Sequence, residues 1–311
     1  MKAAQIKDYG GEEAVTVNEV PKPVAGEGYV LVAVRAAGAN PFDYKVRDGS
    51  YKDYFPVPLP AVLGGDVAGT VAEIGKGVSG FTVGQEVYGM AGAAGGQGSF
   101  SEFTPVKDEQ LAAKPASVDF VTAAALPLAG VSAYQALVDH MGLKAGQKIL
   151  IHGGAGGIGS LAIQIAKNLG VYVATTADAP DIDYVKSLGA DEAIDYKTQD
   201  FAKELKDYDA VFDTVGGETN TSSYTVLKAG GTLVSMVEAP DEALVKRHNV
   251  NYVQQSSQAT SERLTKIAEL VDAGKLKVNV DKTFPLAEAA AALEYLKTGH
   301  PRGKVVIQVK N

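Results

Sequence analysis

The segment 152–159 constrains the fold of this chain more than any other part of the sequence. It reads HGGAGGIG and contains the pattern G-x-G-x-x-G at Gly154, Gly156 and Gly159. The run KILIH at 148–152 is typical of a buried strand, and the apolar residues that follow recur every three or four positions, as on one face of a helix. These residues are Ile158, Leu161, Ala162, Ile165, Ala166 and Leu169. The sequence therefore predicts a strand, a tight glycine turn and a helix in immediate succession.

Each glycine of this loop has a physical role in holding a dinucleotide. Gly154 permits the tight turn, Gly156 lets backbone N–H groups approach a pyrophosphate, and Gly159 lets the helix pack close to the strand. The helix N-terminus adds a partial positive charge. The alternative is a glycine-rich turn that binds no ligand. We predict that the cofactor contacts of this loop are Gly154, Ala155, Gly156, Gly157, Ile158 and Gly159.

The rest of the central region alternates short apolar strands with helical patterns. Strands are predicted at 171–176, 193–196, 210–213 and 232–235, and a helix is predicted near 181–188. Strands that alternate with helices form a parallel sheet with right-handed crossovers. We therefore expect an α/β domain around the glycine loop.

Both ends of the chain differ from the central region, because their residue patterns are typical of β-strands. Residues 1 to about 120 read as mostly β, with strands at 30–36 and 67–74, and a glycine-rich stretch at 89–98 reads as a mobile loop. The chain returns to strand-like texture near Asn279 and ends in a strand at 303–309. We expect that this last strand rejoins the first domain.

Composition excludes several classes of function. The formal net charge is −8 and the chain has no cysteine and only 4 histidines. An acidic surface repels phosphate backbones, so nucleic-acid binding is not expected. Cysteine-based zinc sites and thiolate chemistry are excluded, and we expect no metal. The opening residues show no signal peptide and the chain has no long apolar run, so we expect a cytoplasmic protein without a membrane span.

Several short motifs together resemble one known family. They are NPFDYK at 40–45, GGDVAG at 64–69, ALPLAGVSA at 125–133, the glycine loop, LGAD at 188–191, DTVGG at 213–217 and RGKVV at 302–306. In this order they are similar to the medium-chain dehydrogenase/reductase superfamily, in its zinc-free quinone oxidoreductase (zeta-crystallin-like) branch. Zinc-bearing relatives carry a histidine where this chain has Gly65 and a cysteine near Asn40.

The resemblance implies a fold, a domain organisation and an assembly. It implies a Rossmann doubly wound parallel sheet inserted in a β-rich, GroES-like catalytic domain. Residues 1–122 and 265–311 would form the catalytic (substrate) domain, and residues 123–264 the dinucleotide-binding Rossmann domain. A homodimer or homotetramer is usual in this family.

The resemblance also implies site residues outside the glycine loop. On the substrate side they are Asn40, whose amide would bond a ribose hydroxyl or the substrate oxygen, and the possible donors Tyr44, Lys45 and Tyr51. The alternative for Asn40 is a turn residue, and each of the other three could equally be a surface residue. Cofactor contacts would be Ser132, Thr176, Asp178, Tyr196, Val215, Gly216, Ser235 and Met236.

The choice between NADH and NADPH stays open in the sequence. Asp178 lies 19 residues past Gly159, where an acidic residue accepts hydrogen bonds from the adenosine ribose of NAD. Residues 171–185 contain no Lys or Arg, although NADPH-using members place one there. The family favours NADPH, and the local charge favours NADH slightly.

The function that follows is an NAD(P)H-dependent, zinc-independent reductase of quinones or α,β-unsaturated carbonyls, acting by hydride transfer on a small molecule. Two alternatives are an enoyl-thioester reductase and a non-catalytic NAD(P)H-binding protein. The acidic balance disfavours the first, because a carrier's phosphate would need a basic patch. Binding of cofactor without turnover would support the second.

Overall fold

The computed structural model describes residues 1–92 and 95–310, and the chain divides into two compact units. The first unit contains residues 1–131, 259–274 and those from 278 onward, and the second contains residues 132–258 and 275–277. The second unit is thus an insertion in the sequence of the first. Which unit binds substrate and which binds cofactor stays a prediction.

The described elements include sixteen strands and ten α-helices. The strands are β1 (Lys2–Ile6), β2 (Val15–Glu19), β3 (Tyr29–Ala39), β4 (Ala61–Val62), β5 (Asp66–Ile74), β6 (Glu86–Met90), β7 (Phe103–Lys107), β8 (Leu111–Ala113), β9 (Lys148–Ile151), β10 (Tyr172–Ala177), β11 (Glu192–Asp195), β12 (Tyr208–Asp213), β13 (Leu227–Ser235), β14 (Asn251–Gln254), β15 (Val280–Pro285) and β16 (Lys304–Gln308). The helices are α1 (Pro41–Arg47), α2 (Phe120–Ala124), α3 (Pro127–Tyr134), α4 (Gly157–Asn168), α5 (Ile182–Ser187), α6 (Phe201–Glu204), α7 (Glu218–Ser223), α8 (Glu242–His248), α9 (Ser261–Asp272) and α10 (Ala289–Thr298).

The second unit is built on a six-stranded sheet in the order β11-β10-β9-β12-β13-β14, and every pairing in it is parallel. The apolar stripe of α4 is buried, with Leu161, Ala162 and Ile165 each at most 2% exposed. The strand that precedes the glycine loop, β9, lies in the middle of the sheet, where burial on both faces favours its continuous apolar run. The predicted parallel α/β sheet is confirmed.

The first unit is largely β. Six strands follow the order β15-β16-β3-β5-β6-β8, β7 also pairs with β3, and a smaller sheet has the order β2-β1-β4. The last strand, β16, pairs antiparallel with β3, with Val306 opposite Gly38, and parallel with β15. The expectation that the final strand rejoins the first domain is therefore confirmed.

The predicted loop at 89–98 is partly wrong. Gly89 belongs to β6, where it pairs with Val67 of β5 and Leu111 of β8. A Cβ atom at Gly89 would lie 2.1 Å from the carbonyl oxygen of Gln110, so glycine here permits close approach of the segment that leads into β8. Residues 93 and 94 lie outside the described residues.

No helix in the described ranges is both long and apolar enough to cross a bilayer.

Candidate active site

The glycine loop joins β9 to α4 and has the close contacts that its glycines allow. A Cβ at Gly154 would lie 2.1 Å from Thr175 Oγ1, and one at Gly159 would lie 2.2 Å from the carbonyl oxygen of Gly153. At Gly156 a Cβ would have only that same oxygen nearby, at 3.4 Å. Gly156 is also the residue before α4, and among the described residues no side chain caps this helix. Its first N–H groups are therefore suited to hold an anionic pyrophosphate.

A buried hydrogen-bond chain lies beneath the loop. Gly153 N donates to Thr176 Oγ1 at 3.2 Å, and Thr176 Oγ1 is 3.2 Å from His152 Nδ1. On the other side of the ring, His152 Nε2 is 2.9 Å from Ser223 Oγ, which itself donates to the carbonyl oxygen of Thr219. Because the Ser223 hydrogen is used there, Nε2 must donate, and Nδ1 accepts from Thr176. Burial lowers the pKa of His152 to about 4, so this neutral tautomer holds at neutral pH.

The residues that follow β10 and β11 form an exposed charged pair. Asp178 Oδ1 accepts from Ala179 N at 2.9 Å, and Asp178 Oδ2 accepts from Lys197 Nζ at 2.6 Å. Tyr196 is 55% exposed, and Lys197 Nζ lies 5.9 Å from the centre of its ring. The slight preference for NADH rested on Asp178 and on the lack of a cation in 171–185, and the structure places Lys197, which follows the next strand, beside Asp178.

Asp213, at the end of β12, organises the loop that follows it. Its Oδ1 accepts from Val215 N and Gly216 N, both at 2.9 Å, and its Oδ2 accepts from Asn220 Nδ2 at 2.7 Å and Ser235 Oγ at 3.0 Å. Gly216 has a φ of +84°, a left-handed conformation that glycine adopts without strain. The carboxylate therefore fixes the carboxyl ends of two neighbouring strands together.

The predicted contacts Ser132 and Met236 are linked through one amide. Gln255 Nε2 donates to the carbonyl oxygen of Ser132 at 3.0 Å and lies 3.3 Å from Met236 Sδ. The hydroxyl of Ser132 is 2.7 Å from that of Ser257. Within the second unit, the predicted cofactor residues from β9, β10, β11, β12 and β13 thus all lie at the carboxyl edge of the sheet, where ligands bind in open α/β folds.

Asn40 belongs to a buried polar cluster in the first unit. Its Nδ2 donates to Asp66 Oδ2 at 2.9 Å, and its Oδ1 accepts from Lys304 Nζ. The ammonium of Lys304 also lies 3.3 Å from Asp66 Oδ2 and donates to the carbonyl oxygen of Ala39 at 3.1 Å. Asp66 is 0% exposed, Lys304 4% and Asn40 5%. Both ends of the Asn40 amide are therefore held in one orientation.

Two carboxyl groups of this cluster have raised pKa values. Burial raises the pKa of Asp66, while the Lys304 ammonium acts in the opposite direction. Burial also raises the pKa of Asp43 to about 7, although its Oδ2 accepts a hydrogen bond from Asn40 N at 2.7 Å. The sequence motifs contained Asp43, Asp66 and Lys304, but nothing in them indicated that the three are buried together.

The remaining predicted substrate-side donors separate into two environments. Lys45 Nζ donates to Tyr51 OH at 3.4 Å, and the Tyr51 ring packs near Phe42 and Phe55, with ring centres 5.6 and 6.3 Å away. Tyr44 instead packs against the apolar core that α10 shares with β3 and β16. The structure thus brings Lys45 and Tyr51 together and places Tyr44 elsewhere.

Within residues 1–92 and 95–310, no three His, Cys, Asp or Glu side chains are grouped so as to hold a metal ion. Independence from zinc stays a prediction that metal analysis can test.

Comparison with known proteins finds similarity to dehydrogenase families and to reductases. Residues 26–116 match the alcohol dehydrogenase GroES-like domain family, and residues 188–307 match the zinc-binding dehydrogenase family. The chain is 39% identical to the chloroplastic NADPH-dependent alkenal/one oxidoreductase of Arabidopsis thaliana and 39% identical to the 2-methylene-furan-3-one reductase of Solanum lycopersicum. Each alignment covers 99% of this chain and 79% of the relative.

The chain belongs to the medium-chain dehydrogenase/reductase superfamily, in its quinone oxidoreductase branch. Among solved structures, the quinone oxidoreductase from Coxiella burnetii superposes with a TM-score of 0.92 at 35% identity, covering 100% of this chain and 99% of that one. These matches confirm the predicted family, the predicted fold class and the prediction of an oxidoreductase that uses NAD(P)H.

Three groups of candidate site residues were not predicted from the sequence. Lys197, Asp213 and the Asp66–Lys304 pair were not predicted as site residues. Asp213 had a usable signal, because it is an acidic residue at the end of a predicted strand. Lys197 and Lys304 had none, because their partners are 19 and 238 residues away in sequence.

Proposed function

We propose that this oxidoreductase reduces quinones and α,β-unsaturated carbonyl compounds with NAD(P)H, adding hydride to the carbon β to the carbonyl group in the second class. The observation that carries the cofactor part of the proposal is the glycine loop at the carboxyl edge of a parallel sheet, followed by α4, whose N-terminus has no side-chain cap in the described part of the chain. The names of the relatives, an alkenal/one oxidoreductase and a furanone reductase, support the substrate class. When bound, the reduced nicotinamide supplies the hydride.

The residues of this chain would bind and orient the cofactor. The backbone of the glycine loop and the first turn of α4 hold the pyrophosphate, while Thr176 and His152 keep Gly153 in place. Asp213 holds the backbone of Val215 and Gly216 and accepts from Ser235, which is itself a predicted cofactor contact. These fixed groups need no rearrangement during the reaction, which is the condition for efficient orientation.

Negative charge develops on the substrate oxygen, and we assign Tyr51 to stabilise it. Lys45 donates to the Tyr51 oxygen, so the phenolic hydrogen is available to donate onward. Addition at the β-carbon gives an enolate, whose charge is delocalised, so a single neutral donor has less to stabilise than it would with an alkoxide. Tyr44 packs in the core, and we assign it no contact with substrate.

We assign Asn40 as a second hydrogen-bond donor, whose orientation is fixed. Its amide nitrogen carries two hydrogens, and Asp66 accepts one of them. We propose that the other reaches a ribose hydroxyl or the substrate oxygen. Lys304 and Asp66 are then positioning residues, because they hold the two ends of the amide.

Isotope transfer tests this mode of reduction. With cofactor deuterated at C4, an enone product should carry deuterium at its β-carbon and keep its carbonyl group, and simple ketones should react negligibly. Deuterium on the carbinol carbon of an allylic alcohol would overturn the proposal. Binding of cofactor with no turnover of any quinone or enone would favour a non-catalytic role instead.

A matched pair of variants tests the assignment of Tyr51. We expect Tyr51→Phe to lower kcat/KM for enones about a hundredfold, the usual cost of one donor to a developing oxyanion. Tyr54 is 80% exposed, so Tyr54→Phe is the control and should leave the rate nearly unchanged. Equal rates for the two variants would contradict the assignment.

Assembly and location are also proposals. We expect a homodimer or homotetramer, which light scattering can measure, and a cytoplasmic location. The Arabidopsis relative is named as chloroplastic, so the cytoplasmic location rests on the sequence alone.

A further inference from the structure

The pair formed by Asp178 and Lys197 lies where the adenosine ribose of the cofactor is expected. Asp178 follows β10, and Lys197 is the second residue after β11, the neighbouring strand. Their side chains meet at 2.6 Å and are 33% and 58% exposed. Both groups can therefore contact a bound ligand without a change in the backbone.

The position of the ammonium suits a phosphate on the ribose. An acidic residue at the end of the second strand of such a sheet accepts from ribose hydroxyls, and a nearby cation accommodates a 2′-phosphate. Since Lys197 Nζ is one hydrogen bond away from the Asp178 carboxylate, it is also close to whatever that carboxylate binds. No Lys or Arg occurs in 171–185, so the strand itself supplies no alternative cation at its end.

We propose that Lys197 binds the 2′-phosphate of NADPH, and that Asp178 takes the ribose hydroxyls of NADH while it holds Lys197 aside. The inference rests on the proposed NAD(P)H-dependent function and deepens its cofactor site. One ion pair thus serves both cofactors. Tyr196, whose ring lies near the ammonium, forms part of the same surface.

The exchange between partners is physically simple. A phosphate monoester carries nearly two negative charges at neutral pH, so it competes with the single charge of Asp178 for the ammonium. Lys197 has a flexible stem and more than half of its surface exposed, so the pair costs little to open. The preference for a 2′-phosphate should therefore fall as salt is added, because screening weakens exposed charge interactions.

Equilibrium binding of two nucleotides that lack nicotinamide tests the proposal on the full chain. Isothermal titration calorimetry is carried out with 2′,5′-ADP and with 5′-AMP, two nucleotides that differ only in the 2′-phosphate. We expect Lys197→Gln to weaken 2′,5′-ADP binding about tenfold, or ~1.4 kcal/mol, and to leave 5′-AMP within about twofold. Lys197→Arg should retain binding of 2′,5′-ADP. Asp178→Asn should strengthen 2′,5′-ADP and weaken 5′-AMP.

The control removes an equal charge at the other edge of the same sheet. Lys228 pairs with Asp209 near the amino ends of β13 and β12, so Lys228→Gln changes the net charge identically but far from the carboxyl edge. Equal effects of Lys197→Gln on both nucleotides, or no effect on 2′,5′-ADP while 5′-AMP still binds, would overturn this inference alone. Failure of the wild-type chain to bind either nucleotide would overturn the cofactor site as well.

Discussion

Removing Lys304 should destabilise the first unit more than removing any exposed lysine of the same region. The substitution Lys304→Met keeps most of the stem and deletes the ammonium. Lys304 is 4% exposed, and its ammonium contacts Asp66, Asn40 and the carbonyl oxygen of Ala39. All three acceptors then lose a donor in a site that is almost closed to solvent.

The size of the effect follows from burial of the remaining charge. Breaking a buried ion pair by deleting one partner costs about 3–5 kcal/mol. Asp66 keeps hydrogen bonds from Asn40 Nδ2 and from Leu128 N, both at 2.9 Å, so we expect the lower half of this range. Without Lys304 the folded pKa of Asp66 should rise further. A folded pKa above the unfolded value means that stability is lost as pH rises, so the penalty should grow as the pH rises above the unfolded pKa of about 4.

Urea unfolding followed by circular dichroism measures this loss. With a slope of about 3 kcal/mol/M, a loss of about 3 kcal/mol lowers the midpoint by roughly 1 M. Lys310→Met is the control, because Lys310 is 57% exposed and pairs with Glu102 at 3.6 Å, a contact worth about 0–1 kcal/mol. Adding Asp66→Asn to Lys304→Met should recover part of the loss. Equal midpoints for Lys304→Met and Lys310→Met would refute the reasoning.

Three further predictions concern the second unit and metal content. Burial lowers the folded pKa of His152 from 6.5 to about 4, so the free energy of unfolding should fall by about 3 kcal/mol as the pH is lowered from 6.5 to 4. In urea titrations at several pH values, His152→Gln should flatten this profile, and an unchanged slope would contradict the prediction. The added methyl group of Gly154→Ala would clash with Thr175, so this variant should lose about 1–3 kcal/mol of unfolding free energy. Gly156→Ala should keep the stability and weaken NADH binding, as measured by titration, and the reverse pattern would contradict the assignment of the loop. Elemental analysis of active protein should show far less than one zinc per chain, and a rate abolished by chelators would disprove zinc independence.

Local patterns predicted the second unit well because its elements are continuous in sequence. The apolar run of β9 and the helical stripe of α4 occur within one short stretch, and both were predicted close to their observed bounds. Gly89 was assigned to a loop because its neighbours are rich in glycine and alanine. Its place in β6 depends on the backbone at Gln110 of the adjoining chain segment, which no local pattern reveals.

The same limit applies to the site. The glycine loop could be predicted because its chemistry requires three glycines at fixed spacing between a strand and a helix. The partner of Asp178 could not, because Lys197 follows the next strand and lies outside the segment 171–185, where the family places a cation. Asn40 was expected to bond a ribose hydroxyl or the substrate oxygen, but its orientation by Asp66 and Lys304 depends on three strands that meet only in the fold.

The position of β16 inside a sheet has a consequence for how the chain is made. This strand lies between β15 and β3, so the main sheet of the first unit is incomplete until residues 304–308 have left the ribosome. The second unit, with nearly all of its residues in the continuous stretch 132–258, can finish folding earlier during synthesis. Until then β3 has an unpaired edge that includes Gly38, and a nascent chain stalled before Gly303 would expose it to pairing with other chains.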